Sequence, residues 1–355
     1  MILHVLWGIP MNDFNRVIIL VHPEADFQES FLVMGLVELL GEENVILYPP
    51  KYSYYGQVHR YPGITDPTKE GVTGPFEFFK PLKKSPEIDG FELFKQLKTC
   101  DLIVMTTRAT SIKTYRELLE LREQSPDIKL PPMIMVDSED HQFLRTDLIQ
   151  QFGPKVYFKR ELVEEHERVY GDTKIFPLPM SSYVWRSIFA DEAQSWINQP
   201  KEYNLTCVVG NTHPYRHEVI TALKNANFPK SFIGIDGDVR TNTKEFLQRI
   251  ALSKIAVSIR GHGQDTVRRW EIPSFKTLLL TDVLSIQDPY PYCHYTHCIY
   301  YRTPEECVTK AKHFLLSDNY RDIARNGFLH TSRYHSTKAR AAFMLDMAYK
   351  SLLKT

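Results

Sequence analysis

Between Ser258 and Asp282 the chain reads SIRGHGQDTVRRWEIPSFKTLLLTD. Arg260, Gly261, His262 and Gly263 follow an apolar run. Arg268 and Arg269 then stand beside Glu271, and a second apolar run comes directly after. Isolated charge beside buried strands is costly, so these groups must pair with one another or hold a ligand. A carboxylate at a helix start accepts both hydroxyls of a ribose, and guanidinium forks neutralise a diphosphate. The plainer reading is an i,i+3 surface pair of Arg268 and Glu271, worth about 0.2–0.5 kcal/mol.

A second group lies in VVGNTHPYR, Val208 to Arg216. An apolar run ends at Gly210, Asn211 and Thr212 form a polar turn, and Arg216 falls in the first turn of a helix. Such a turn presents backbone N–H groups to a phosphate; an ordinary strand-to-helix turn with Arg216 in solvent is the alternative. The third is VDSEDHQ, where Asp137, Glu139, Asp140 and His141 close another apolar run. Asp137 or Asp140 there is placed to serve as a general base, with His22 in LVHPEADF as a rival; acidic residues at strand ends also serve as helix caps. The DGD tripeptide at 236–238 reads as a Gly-containing turn. CHYTHC at 293–298 is too compact for a zinc site built from two separated pairs, and reads as a loop.

These residues need elements to position them. Short apolar runs at 16–23, 44–50, 101–108, 132–141, 155–162 and 173–180 alternate with amphipathic stretches at 26–41 and 111–124. The first helix closes at Gly41 and the second opens on a Ser111 cap. After a helix-like bridge over 186–202 the alternation resumes: 204–226 reads strand, turn and helix, 230–238 strand and turn, 243–254 helix, 255–261 strand, 266–275 a short helix, 277–282 strand and 298–318 a short strand and then a helix, with helical sequence to the end. This predicts two successive α/β halves with parallel sheets: two Rossmann-like domains facing across a cleft, with ligands beyond the carboxyl ends of the strands. The expected division is 1–185, a linker at 186–202, 203–335, and a final helical segment at 336–355. Residues 51–90, rich in Tyr, Pro and Gly, read as a long surface loop.

The bulk properties agree with a soluble globular protein. The chain has 355 residues, 43% of them hydrophobic, and its 43 basic residues balance 43 acidic ones. Zero net charge argues against nucleic acid as the main partner. Five scattered cysteines do not form a secreted disulfide framework. The N-terminal stretch shows no basic leader or cleavage site, and no apolar run reaches membrane-spanning length. The expectation is a cytoplasmic protein.

From Gly210 with Arg216, through the Arg260–Gly263 loop, Arg268-Arg269-Trp270-Glu271 and LLLTD, to His335 with Arg340, the sequence resembles the GT-B glycosyltransferases, in particular the CgeB-like or glycosyl transferases group 1 proteins. The resemblance covers roughly 200–345 and is looser before that. It implies sugar transfer from a nucleotide diphosphate sugar, UDP- or GDP-linked, with no metal or other cofactor. Glu271 would hold the ribose, and Gly210, Asn211, Thr212, Arg216, Arg260, Gly261, His262, Arg268 and Arg269 would surround the diphosphate. The acceptor, a glycan, protein or small molecule, would sit on the first half, and the last helix would cross back to it. Lys276 stands where the family commonly has Gly. Gly263 lies eight residues before Glu271, where retaining members often carry a second Glu, so stereochemistry is not assigned. Two other functions fit the same sequence: a GT-B-like binding protein without catalysis, and a glycosyltransferase acting on modified nucleic acid through the Tyr/Lys/Arg-rich 51–84 segment.

Overall fold

The computed structural model describes residues 14–23, 26–55, 81–83, 90–125, 127, 129–235, 242–317 and 319–352. Most of the expected 51–90 loop and the 236–238 turn lie outside these residues.

The first half runs β1 (Val17–Leu20), α1 (Phe27–Leu40), β2 (Val45–Tyr48), α2 (Gly90–Leu97), β3 (Leu102–Thr106), α3 (Ala109–Gln124), β4 (Met133–Asp137), α4 (Thr146–Phe152), β5 (Val156–Lys159), β6 (Val169–Tyr170) and β7 (Thr173–Pro177). Strands β1, β3, β4 and β5 are buried along their whole length, as continuous apolar runs covered on both faces should be. They form one sheet in the order β2-β1-β3-β4-β5-β7-β6, parallel except for the short antiparallel β6.

The connection carries α5 (Ala190–Ile197). The second half then runs β8 (Tyr203–Val209), α6 (Pro214–Asn225), β9 (Ser231–Ile235), α7 (Thr243–Ala251), β10 (Ser253–Ser258), α8 (Val267–Glu271), β11 (Leu278–Asp282), β12 (Ile299–Tyr301), α9 (Pro304–Leu316), α10 (Tyr320–Tyr334) and α11 (Thr337–Leu352). Its five strands are all parallel, in the order β12-β11-β10-β8-β9. Two parallel sheets in succession are the architecture that the alternating pattern predicts.

Local differences have local causes. Helix α3 begins at Ala109, two residues before the expected Ser111 cap. Ser111 is buried inside the helix, where its hydroxyl donates to the Leu20 carbonyl at 2.5 Å and lies 2.6 Å from that of Thr106. Helix α1 follows its signals: the Asp26 side chain accepts from the Glu29 amide, and Gly41 ends the helix at φ 88°.

Helix α11 returns to the first half and packs along α1. The approach is closest at Gly35, where a Cβ would overlap the Thr337 carbonyl and come within 2.9 Å of Ala341 Cβ. Gly35→Ala should therefore destabilise the protein by about 1–3 kcal/mol through overpacking, despite roughly 1 kcal/mol gained in helix propensity. An unchanged or higher midpoint in urea would show that α11 does not press on α1 at this point.

Candidate functional site

The carboxyl ends of β8 and β10 lie next to each other, since these strands pair directly. Two loops therefore meet, 210–213 and 259–265. Arg216 is the brace between them. It is buried, and it donates to three backbone carbonyls: Nη1 to Gly210 at 2.8 Å, Nη2 to Ile259 at 3.0 Å and Nε to Arg260 at 2.8 Å. Its fork is committed to shaping the loops. Gly261 and Gly263 are crowded by neighbouring side chains where Gly210 is not. A Cβ at 261 would sit 2.9 Å from Arg216 Nη2 and 3.1 Å from Thr212 Oγ1; at Gly210 nothing lies nearer than 3.7 Å. Asn211 Oδ1 accepts from His217 Nε2 at 2.8 Å, and His262 is exposed on the turn. The Thr212 hydroxyl is buried and has no partner among the described residues, which marks a polar group that a ligand could satisfy.

The remaining cations divide. Arg260 is one-third exposed; Nε binds Asp282 Oδ2 at 2.6 Å and Nη2 the Val283 carbonyl at 2.7 Å. Arg268, also one-third exposed, stacks 4.1 Å over Phe246 and donates to Glu271 Oε2 at 3.3 Å. Arg269 is enclosed by the rings of Trp270, Tyr292 and Tyr300 and donates to Tyr300 Oη at 3.1 Å. Glu271 is 2% exposed. Its Oε1 accepts from Tyr183 Oη at 2.6 Å. Burial and the Glu271 carboxylate push the Tyr183 phenol well up, so it stays protonated and donates. Tyr183 was not singled out from sequence, because it is distant from Glu271 in the chain and only the folded connection brings it there.

From the first half, Asp137 and Asp140 go to different places. Asp137 is wholly buried, accepting from Lys159 Nζ at 2.9 Å, from the Tyr157 hydroxyl, and from the Glu139 amide at 3.0 Å. Asp140 is about half exposed, is ion-paired with Arg160, and faces Gly263: a Cβ there would lie 2.6 Å from Asp140 Oδ1. His22 is held by its amide to Glu29 Oε2 and by Nδ1 to Thr110 Oγ1, both at 2.9 Å. In CHYTHC the ring nitrogens of His297 and His294 accept from the amides of Cys293 and Tyr300, both at 3.0 Å; the segment is a folded turn.

Several residues join the halves. Glu161, one residue beyond Arg160, accepts from the amides of Gln264 at 3.0 Å and Asp265 at 2.8 Å. The Asp265 carboxylate in turn accepts from the Met180 amide at 2.5 Å and Trp270 Nε1 at 2.8 Å; burial pushes its carboxyl up to about 6. Beneath this, Arg340 is 1% exposed and donates Nε to the Met180 carbonyl at 3.3 Å and Nη2 to Asp288 Oδ1 at 3.1 Å and His335 Nδ1 at 2.7 Å. Burial would raise the Asp288 carboxyl, but Arg340 outweighs it and holds it at about 2. Burial, with Arg340 beside it, keeps His335 neutral well below its ordinary range. The KRE triplet ending 155–162 was a visible signal for Glu161: three charges at the carboxyl end of a buried strand.

The neutral, buried His335 sets a pH dependence. Below pH 6.5 the unfolded histidine takes up a proton that the native one refuses, so its contribution to stability falls as pH falls. His335→Gln should remove that slope. The stability difference, wild type minus variant, is expected to decline by up to about 1.4 kcal/mol per pH unit between pH 6.5 and 5. Parallel profiles would show that His335 is protonated in the native state. Arg340→Met, which leaves Asp288 buried without its cation, should cost about 3–5 kcal/mol; a loss under 1 kcal/mol in urea titration would refute the role given to this contact.

Residues 203–346 match the family model described as glycosyl transferase-like. No protein of curated function matches the chain in sequence. Solved structures similar in fold include a glycosyltransferase from Rickettsia africae ESF-5, with 8% identity, a TM-score of 0.57, and 97% of this chain and 100% of that one covered. Sucrose-phosphate synthase from Thermosynechococcus elongatus shows 13% identity and a TM-score of 0.54 over 96% and 100%. HepE from Anabaena, in complex with UDP-glucose, shows 9% identity and a TM-score of 0.55 over 95% and 100%. At these identities the likeness establishes a shared fold across nearly the whole chain.

Proposed function

We propose that the chain is a GT-B glycosyltransferase that moves a sugar from a UDP-linked donor held by the second half to an acceptor on the first. The observation that carries this reading is the junction of the 210–212 and 259–263 loops at the carboxyl ends of β8 and β10, with two partly exposed guanidinium groups and a buried carboxylate beside it. The family match over 203–346 and the UDP-glucose bound by the similarly folded HepE support it.

Each group has a part. The Glu271 carboxylate accepts the ribose hydroxyls, which replace the donor hydrogen bond of Tyr183. Arg268 shifts from Glu271 toward the diphosphate, and Arg260, held by Asp282, meets the same charge. Thr212 supplies a hydroxyl that is otherwise unsatisfied. Fixed donors of this kind stabilise the charge that develops on the leaving diphosphate, so no metal is required. Arg216 acts as a positioning residue through the loop carbonyls. Asp140 is the general base in this scheme, because it reaches the second half at Gly263 while the Asp137 carboxylate is occupied inside the first.

Titration of UDP by calorimetry tests the assignment. Arg268→Ala and Glu271→Gln should each weaken binding about 10–100-fold, the value of a charge-assisted hydrogen bond of roughly 1.5–3 kcal/mol. Asp140→Asn should bind UDP normally and lose turnover, and wild-type turnover should survive EDTA. Unchanged UDP affinity in both binding variants would remove the donor site from these loops.

A further inference from the structure

A cavity lies at the other end of the second sheet, away from the donor loops. Its volume is about 490 Å³, and its lining includes Lys201, Lys254, Lys276 and Arg325, an aromatic wall at Phe328, and, among the described residues, no Asp or Glu. In a chain whose charges balance overall, Lys254, Lys276 and Arg325 around one concavity are a local excess. Lys254 is the second residue of β10, and Lys276 precedes β11. The cavity is therefore at the amino ends of strands whose carboxyl ends carry the donor loops, about 15–20 Å away along β10 at roughly 3.3 Å per residue.

The backbone reinforces this. Lys276 has φ 51° and ψ 38°, in the left-handed region. A side chain there costs about 1 kcal/mol that glycine would avoid, yet it places an ammonium in the cavity, 5.1 Å from the Phe328 ring. Lys201 forms part of the wall, its Nζ bound to the Ala251 and Phe275 carbonyls and Thr277 Oγ1 at 2.6–3.0 Å. Burial, and Lys276 beside it, pull the Lys201 ammonium down to about 7, a shift that a bound anion would oppose.

We propose that this cavity binds a small organic phosphate, its phosphoryl oxygens on Lys254, Lys276 and Arg325 and its body against Phe328. The volume suits a ligand of metabolite size, and the ammonium groups of Lys254 and Lys276 with the Arg325 guanidinium suit a multivalent anion. The site is separate from the donor loops and does not require their assignment.

Inorganic pyrophosphate is the probe, titrated by calorimetry into the full-length protein with UDP present in excess to occupy the donor loops. Wild type should bind it. Affinity should fall at least tenfold in Lys254→Ser/Arg325→Ser and in Lys276→Gly, while Arg268→Ala leaves it within twofold. Lys276→Gly also keeps the fold, since glycine adopts the left-handed backbone freely. Flotation with phosphatidylcholine vesicles containing a phosphoinositide, lost in the same variants, would identify a lipid headgroup as the source; pyrophosphate binding without flotation would identify a soluble phosphate. Absence of binding to either probe, or binding that survives the Lys254 and Arg325 substitutions, overturns the site. Failure of the donor reading is seen separately, as unchanged UDP affinity in Arg268→Ala.

Discussion

The buried guanidinium of Arg340 is the contact on which the relation between the two halves depends. It comes from the returning helix α11 and reaches the Met180 carbonyl at the exit of the first half, Asp288 in the second, and His335 just before its own helix. The face of Trp270 lies 5.1 Å away. Desolvating one cation and one carboxylate is expensive, and only hydrogen bonds on several sides recover that cost. The His335 carbonyl and Ser182 amide bind at 2.7 Å, and the Ser182 and Ser274 hydroxyls at 2.6 Å, alongside it. A chain that leaves one sheet, builds another and returns is thereby fastened at one place.

The site inherits its geometry from that fastening. Tyr183 follows Ser182 directly and donates to Glu271, so the clasp also decides what covers the carboxylate. Trp270, packed against Arg340 and His335, precedes Glu271 and follows Arg269. Glu161 closes the same junction from the other side by accepting two amides of the 259–265 loop. A residue that moves in this region changes the loop, the carboxylate and the relation of the halves together.

Charge is spent differently at the two ends of the second sheet. At the carboxyl ends, cations are matched: Arg216 by three carbonyls, Arg260 by Asp282, Arg268 by Glu271. At the amino ends, Lys254, Lys276 and Arg325 line a cavity with no carboxylate among its described residues. Matched groups define a shape that a ligand must rearrange to enter, whereas clustered charge of one sign defines a potential that draws an anion in.

The sequence by itself determined the two parallel sheets, because continuous apolar runs alternating with amphipathic ones leave few other ways to bury both faces. It also determined that Gly210–Arg216, Arg260–Gly263 and Arg268–Glu271 fall where such sheets hold ligands, since strand ends and turns are local signals. Helices α2 and α4 were not legible, being only eight and seven residues long, and neither was the true start of α3, where a buried hydroxyl outweighed a capping preference. The tertiary structure alone decided which charges are free. Asp137 and Asp140 are chemically alike three residues apart, yet one is enclosed by Lys159 and Tyr157 and the other reaches the second half. Arg268 and Arg269 are adjacent, yet one lies beside Glu271 and the other in an aromatic box. Neighbours along a chain point in different directions, and what each meets is set by residues a hundred positions away.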